Sequence, residues 1–317
     1  MTREFPLQLD VIKLKTELGI CQTLAITLTE PKDLIKPIIL SELKPKIPKD
    51  LDLSQGVILY GMSPIWLYGF LVEYCRNAPW IACYDVRNKI AVVVKSNTSK
   101  LAVGDRIAIL VNRIPGIAIL IGGPPDSGKS VFSYALRRSL LEKDKNLKVF
   151  IQRANWDGEG NWVLEMSDRQ KATQLKEANT SRLNLLENSE DLMKKYFDYH
   201  AKAIENIRDV MDIVLVDVGG KIQPEKYPIL QKCSHYIIIS RFQEEVGKWH
   251  DFCRSLKPAI VIHSVLEEKL VRWKNEDYLE VVAGRWITGE TVSVPDIIVE
   301  KVLECWSKYQ EQSCIKH

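Results

Sequence analysis

The feature that most constrains this chain is the string Gly123-Pro124-Pro125-Asp126-Ser127-Gly128-Lys129-Ser130, set between the apolar run IAILIGG and the helical-period segment KSVFSYALRRSLLEK. It matches the phosphate-loop pattern GxxxxGK[ST] in the strand-to-helix context that the pattern requires. Glycines there let successive backbone N–H groups converge on an anion at a helix N-terminus, where the dipole also favours negative charge. Gly123, Pro124, Asp126, Ser127, Gly128, Lys129 and Ser130 are therefore expected to hold ATP or GTP. Lys129 would reach the terminal phosphates and Ser130 would ligate magnesium.

The surrounding sequence supports that expectation. Strand signals KVFIQR, IVLVDVGG, YIIIS and AIVIHS alternate with helical segments, including a polar-faced one from about Ser189 to Val210 and EEVGKWHDFCRSL. Apolar strands separated by helices imply a mostly parallel sheet covered on both faces. Asp217, ending one such strand, is positioned for the magnesium shell, and Gly219 and Gly220 let the backbone pass close to a phosphate. Asp157 and Glu159, in RANWDGEG, fall where ligands of this architecture bind and would orient a water or a phosphate acceptor, although a solvated turn explains them equally well. Arg241 after YIIIS reads more simply as a surface residue than as a phosphate sensor. The segment from Ile297 to Gln310 reads as an amphipathic packing helix.

The first third is organised differently. CQTLAITL, GVILY, WIACY and IAVVV read as strands and IWLYGFLVEYC as a short helix, and Pro115 and Gly116 punctuate the chain thereafter. The expected architecture is α/β: a small α/β domain over residues 1–112 and a P-loop NTPase domain over residues 113–317. Residues through Leu110 carry 14 Lys and Arg against 11 Asp and Glu, while the rest of the chain balances. That excess is too small for duplex DNA and leaves room for a local anion site. Seven scattered cysteines without a CxxC argue against a zinc ribbon or a disulfide framework. No stretch approaches the length of a membrane span, and the polar opening MTREFPLQLD lacks a secretory core, so a cytoplasmic location is expected.

In the first domain, GVILYG runs into a Gly-x-Ser-Pro turn at Gly61, Ser63 and Pro64, which opens a helix. Asp85 and Arg87 lie two apart at the end of the next strand. Side chains two apart on an extended segment face the same way, so the carboxylate and guanidinium are expected to converge on one phosphodiester, with Lys89, Lys95, Ser96 and Arg76 nearby in sequence. Pairing of Asp85 with Arg87 at a surface turn is the simpler alternative.

The strings GMSPIWLYGFL, PWIACYDVR and AVVVKS resemble the ring nucleases of type III CRISPR systems known as the Csx-three family. RANWDGEG and DVGG resemble the P-loop, AAA-like ATPase domain fused to some members. The resemblance implies a phosphodiesterase that opens cyclic tetra-adenylate and so switches off type III signalling. It also implies homo-oligomers enclosing the cyclic ligand at a subunit interface, with manganese as a metal, and an ATP-binding domain for assembly or control. It assigns Asp85 and Arg87 to catalysis and, more loosely, Ser63 to the ligand; by their own chemistry and nearness in sequence Arg76 is expected to join in catalysis, Lys95 and Ser96 in ligand binding, and Asp85 to hold the manganese.

Relatives commonly carry histidines before the Pro-Trp pair and after the AVVV strand, where this chain has Arg76 and Ser96-Asn97. Its five histidines all lie at or beyond residue 200, so no imidazole base comes from the first domain. Two other functions stay open: a P-loop kinase in which Asp157 or Glu159 orients an acceptor, and a sensor that holds the cyclic ligand uncut.

Overall fold

The computed structural model describes residues 5–28, 35–61, 63–156, 189–273, 275–284, 286 and 292–314. The chain forms two compact units, Met1–Arg113 and Ile114–His317.

Unit 1 is built on a six-stranded sheet of β1 (Leu7–Thr16), β2 (Gly19–Leu28), β3 (Val57–Gly61), β4 (Trp80–Asp85), β5 (Ile90–Ser96) and β6 (Arg106–Ala108), in that order. The β2, β3 and β4 strands are mutually parallel, and the other pairings are antiparallel. One face packs Leu24, Leu59 and Ile81 against Leu43 of α1 (Leu40–Leu43) and Leu67 and Leu71 of α2 (Ile65–Tyr74). The opposite face gathers Ile58, Ala82, Val93 and Ile107 into a second cluster. The sheet curls until its two edges meet: Glu17 N donates to Ala108 O at 3.1 Å and Leu110 N to Lys15 O at 2.8 Å. Alternation of apolar and polar residues in LQLDVIKLKT is what such an edge strand requires, with one side covered and one side wet.

Unit 2 carries a seven-stranded sheet. Its members are β7 (Ile117–Gly122), β8 (Val149–Arg153), β9 (Ile213–Asp217), β10 (His235–Ser240), β11 (Lys257–Val265), β12 (Lys269–Trp273) and β13 (Leu279–Gly284). Their order is β12-β13-β11-β10-β7-β9-β8, and only β12 runs antiparallel to its neighbour. Every residue of β7, β9 and β10 is buried, as continuous apolar runs dictate in a sheet covered on both sides.

On one face Ile119, Ile121 and Leu215 pack against Phe132 and Leu136 of α3 (Lys129–Lys143) and Ile298 and Val302 of α7 (Asp296–Cys314). The other face receives α4 (Ser189–Arg208), through a 2.6 Å bond between Gln152 Nε2 and His200 Nδ1, and α6 (Gln243–Phe252), whose Trp249 lies over Gly122. A short α5 (Tyr227–Leu230) precedes β10. The expected α/β class, with a mostly parallel sheet between helices, is the observed one. No helix among the described residues is long and apolar enough to cross a membrane.

Candidate functional site

The phosphate loop leaves β7 through backbone conformations that only particular residues tolerate. Gly123 has φ 143°, and a Cβ there would lie 1.9 Å from the Ile239 carbonyl oxygen of β10. Gly128, at φ 83°, caps α3, and a Cβ on it would meet Trp286 Cβ at 2.5 Å. Asp126 adopts φ 57°, a left-handed conformation that Asp accepts better than most residues. The loop is thus wedged between neighbouring backbone and a buried tryptophan.

Inside the loop Lys129 is 7% exposed, and its ammonium donates to Pro124 O at 2.6 Å. Burial pushes the Lys129 pKa below the ordinary lysine range, while the carboxylates of Asp217 and Asp126 pull it back up. The β9 strand lies directly beside β7 with no strand between, so Asp217 emerges next to the loop. Ser130 Oγ donates to Asp217 Oδ2 at 2.7 Å, and Gly219 N donates to Asp217 Oδ1 at 3.1 Å. Ser127, 1% exposed, has a buried hydroxyl with no hydrogen-bond partner among the described residues. An orphaned hydroxyl, a lysine bonded only to its own loop, and a hydroxyl–carboxylate pair form a donor set suited to a magnesium–nucleotide. Ser130 and Asp217 would hold the ion, which when bound neutralises charge on the phosphates.

The parallel strands bring further groups to the same edge. Arg153 ends β8, with Asp217 as its Cα partner across the ladder. Its Nε and Nη1 are buried and have no hydrogen-bond partner among the described residues. Tyr196 of α4 donates to Asn155 O at 2.9 Å, and burial pushes its phenol up to about 12, an effect that the nearby Arg153 charge opposes. Arg153 is the residue that sequence reasoning missed: its signal is a basic residue closing an apolar strand, but its lack of a partner appears only in the fold. Arg241 is exposed and lies 5.7 Å from the centroid of the Phe242 ring, a surface placement. Asp157 and Glu159 lie outside the described residues.

In unit 1 the candidate residues separate into two groups. The β3 and β4 strands are parallel and in register at Leu59 and Cys83, which brings Ser63 and Asp85 to one sheet edge. The Ser63 hydroxyl is buried without a hydrogen-bond partner among the described residues, while Tyr68 of α2 donates to Gly61 O at 2.7 Å and holds the turn. Lys95 and Ser96 instead pair with Ile81 and Trp80, at the opposite end of β4. Five steps of about 3.3 Å put roughly 16 Å between Trp80 and Asp85. Arg76 also belongs to that far end, where Asn97 Nδ2 donates to its carbonyl at 2.8 Å and its own guanidinium pairs with Glu73 at 2.7 Å. The expected convergence of Arg76, Lys95 and Ser96 on Asp85 is therefore absent within one chain, because neighbours across a hairpin need not share an end. Ser96 is also occupied, donating to the carbonyls of Thr98 and Leu101.

The expectation that Asp85 and Arg87 face one way on an extended strand is also corrected. The strand stops at Asp85, and a turn carries the chain through Arg87 to Lys89, which sits at φ 56°. Asp85 folds that turn: Oδ1 accepts from Arg87 N at 3.0 Å and Oδ2 from Asn88 Nδ2 at 2.6 Å. With both oxygens used, and no cluster of three His, Cys, Asp or Glu among the described residues, Asp85 does not fit a manganese site. The thiols are poor nucleophiles: burial pushes Cys75 and Cys83 up to about 11, and Cys233 and Cys253 up to about 12.

Comparison with known proteins bears on this first unit. Residues 28–108 match the family described as CRISPR-associated protein (Cas_csx3). An uncharacterised protein of Aquifex aeolicus (strain VF5) is 43% identical over 51 residues, which are 16% of this chain and 46% of that protein, so the match spans about half the relative's length.

Among solved structures, a putative plasmid partition protein from Borrelia burgdorferi bound to AMPPNP is similar at TM-score 0.38 and 14% identity, over 62% of this chain and 99% of that one. A ParA family ATPase from Chlorobium tepidum gives 0.33 at 13%, over 48% and 76% respectively. The kinase domain of the Escherichia coli tyrosine kinase ETK gives 0.32 at 16%, over 46% and 67%. The phosphate-binding assignment of unit 2 rests on its own loop geometry.

Proposed function

We propose that unit 1 binds and linearises cyclic tetra-adenylate, and that unit 2 binds ATP with magnesium and governs assembly or activity. The observation that carries the reading is the match of residues 28–108 to the Cas_csx3 family, which covers Ser63, Asp85 and Arg87 on one sheet edge. Two such edges from a homo-oligomer would enclose the cyclic ligand. Arg76, Lys95 and Ser96, at the far end of the hairpin, would then meet ligand only if supplied by another subunit.

Cleavage of this ligand needs no external nucleophile. The ribose 2′-hydroxyl attacks the adjacent phosphorus, its proton passes to water or a carboxylate, the P–O5′ bond breaks, and the leaving 5′-oxygen takes a proton from water. The products are a 2′,3′-cyclic phosphate and a 5′-hydroxyl. Holding the hydroxyl in line supplies up to about 7–11 kcal/mol in favourable intramolecular cases. The role of Arg87 is to stabilise charge on the phosphorane, and that of Asp85 is to shape the turn that presents it.

A second reading, a sensor that binds without cutting, is favoured by the same two Asp85 hydrogen bonds and by the absence of histidine from unit 1. The deciding experiment incubates the purified chain with cyclic tetra-adenylate, with and without ATP and magnesium, and follows products by chromatography and mass spectrometry. Linear fragments that Arg87→Ala abolishes support the nuclease. Tight binding with no product over many hours supports the sensor, and absence of binding sinks both.

A further inference from the structure

The parity of β8 decides where Arg153 stands. Gln152 faces α4, where it bonds His200, whereas Ile151 packs against the cluster that holds Phe132 and Leu136 of α3. Alternation along a strand puts Arg153 on the α3 side with Ile151. Ile213 and Leu215 belong to that same cluster, so Asp217 projects to the same side from the neighbouring strand. The Arg153 side chain therefore leaves β8 on the side of Asp217, on the flank away from β7, and its charge also reaches Tyr196 of α4.

A guanidinium is always charged and carries five donors. The nearest acidic partner is already engaged: Asp217 accepts from Ser130 and from Gly219 N. Two Arg153 nitrogens shielded from water and without a hydrogen-bond partner among the described residues leave charged donors unsatisfied beside a phosphate loop. Such an arrangement costs stability unless an anion completes it, and a planar fork matches the oxygens of a phosphate.

We infer that Arg153 is a phosphate ligand of unit 2, receiving a phosphoryl group on the Asp217 side of the loop. This rests on the nucleotide-binding reading of that loop. The phosphate has two sources: the terminal phosphate of the bound triphosphate, or a phosphate on a second substrate beside it.

The test measures binding of AMPPNP, of ADP, and of inorganic phosphate to the AMPPNP-loaded full chain, for the wild type, Arg153→Gln and Arg153→Lys, with melting curves for each. If Arg153 holds the terminal phosphate, Arg153→Gln weakens AMPPNP about tenfold or more while ADP changes by less than about twofold, and Arg153→Lys recovers part of the loss. If it holds the second phosphate, both nucleotides bind as before and inorganic phosphate binding to the loaded protein is lost. In both cases the melting temperature of the ligand-free variant is unchanged or higher, since buried charged donors without hydrogen-bond partners have been removed. Unchanged affinities for all three probes overturn the inference, as does a parallel loss of AMPPNP, ADP and melting temperature. A wild type that binds neither nucleotide defeats the nucleotide reading and this inference with it, whereas nucleotide binding insensitive to Arg153 defeats only the latter.

Discussion

The two units present their chemistry in opposite ways. In unit 2 the phosphate loop, Asp217 and Arg153 issue from the ends of three adjacent parallel strands, and parallel register carries all three to one edge. Several of their polar atoms are unspent among the described residues: Ser127 Oγ and two Arg153 nitrogens have no hydrogen-bond partner there, and the Lys129 ammonium donates to its own loop. In unit 1 the hairpin of β4 and β5 sends residues close in sequence to opposite ends, and Asp85 and Ser96 spend their hydrogen bonds on turns. Closeness in sequence is a good guide to a site where strands run parallel and helices return the chain, and a poor one across a hairpin.

The sharpest way to break the comparison is Gly123→Ala. Its Cβ would overlap the Ile239 carbonyl, so loop and strand must part, with a loss of about 3 kcal/mol in stability and of nucleotide binding. Denaturant unfolding and a nucleotide titration check this together; retention of both would show that the loop is not wedged.

Next in size is Lys129→Ala, expected to weaken ATP about 100-fold with the fold intact, as for loss of a charge-assisted contact. The wild-type affinity should fall as pH rises, and at lower pH than an ordinary lysine titrates. Phosphate favours the protonated amine, and burial has lowered its pKa in the free protein. Titration calorimetry across alkaline pH reads the effect, and an affinity that falls only above the ordinary lysine range would contradict it.

In unit 1 the contrast is between two variants of one residue. Asp85→Ala should lose about 1–2 kcal/mol by removing both turn hydrogen bonds, whereas Asp85→Asn keeps an acceptor for Arg87 N and loses less. Equal losses in thermal denaturation would mean the turn does not depend on these bonds.

The smallest expected effect concerns His235, which burial, helped by the Lys257 and Lys301 charges, holds down at about 4 against an ordinary 6.5. Between those values the unfolded chain binds a proton that the folded one does not, so unit 2 loses stability as pH falls from about 6.5 towards 4. His235→Asn should flatten that slope in melting experiments, and an unaltered slope would place its origin elsewhere.

The legibility of the elements follows the same division. The β7–loop–α3 unit was readable because its apolar run, glycines and helical period lie in one continuous stretch. The expected helix from about Ser189 to Val210 is α4, and that from Ile297 to Gln310 lies within α7. The β1 and β12 strands escaped notice for a physical reason: LQLDVIKLKT and KLVRW mix charges with apolar residues, and each is paired along its length with one strand. Every residue of β12 is exposed, so no buried face marks it in sequence. The short β6 and the strand β13 owe their assignment to pairing with distant segments.

By itself the sequence determined the α/β class of unit 2, the position of the phosphate loop and the residues that must be glycine there, because those depend on local backbone sterics and on the period of burial. Tertiary structure alone decided the rest. Asp217 reaches Ser130 because β9 lies directly beside β7; two Arg153 nitrogens find no hydrogen-bond partner among the described residues; and Arg76, Lys95 and Ser96 stand away from Asp85 because antiparallel register runs the other way. Strand order and hydrogen-bond occupancy are set by contacts between distant segments, and no window of sequence contains them.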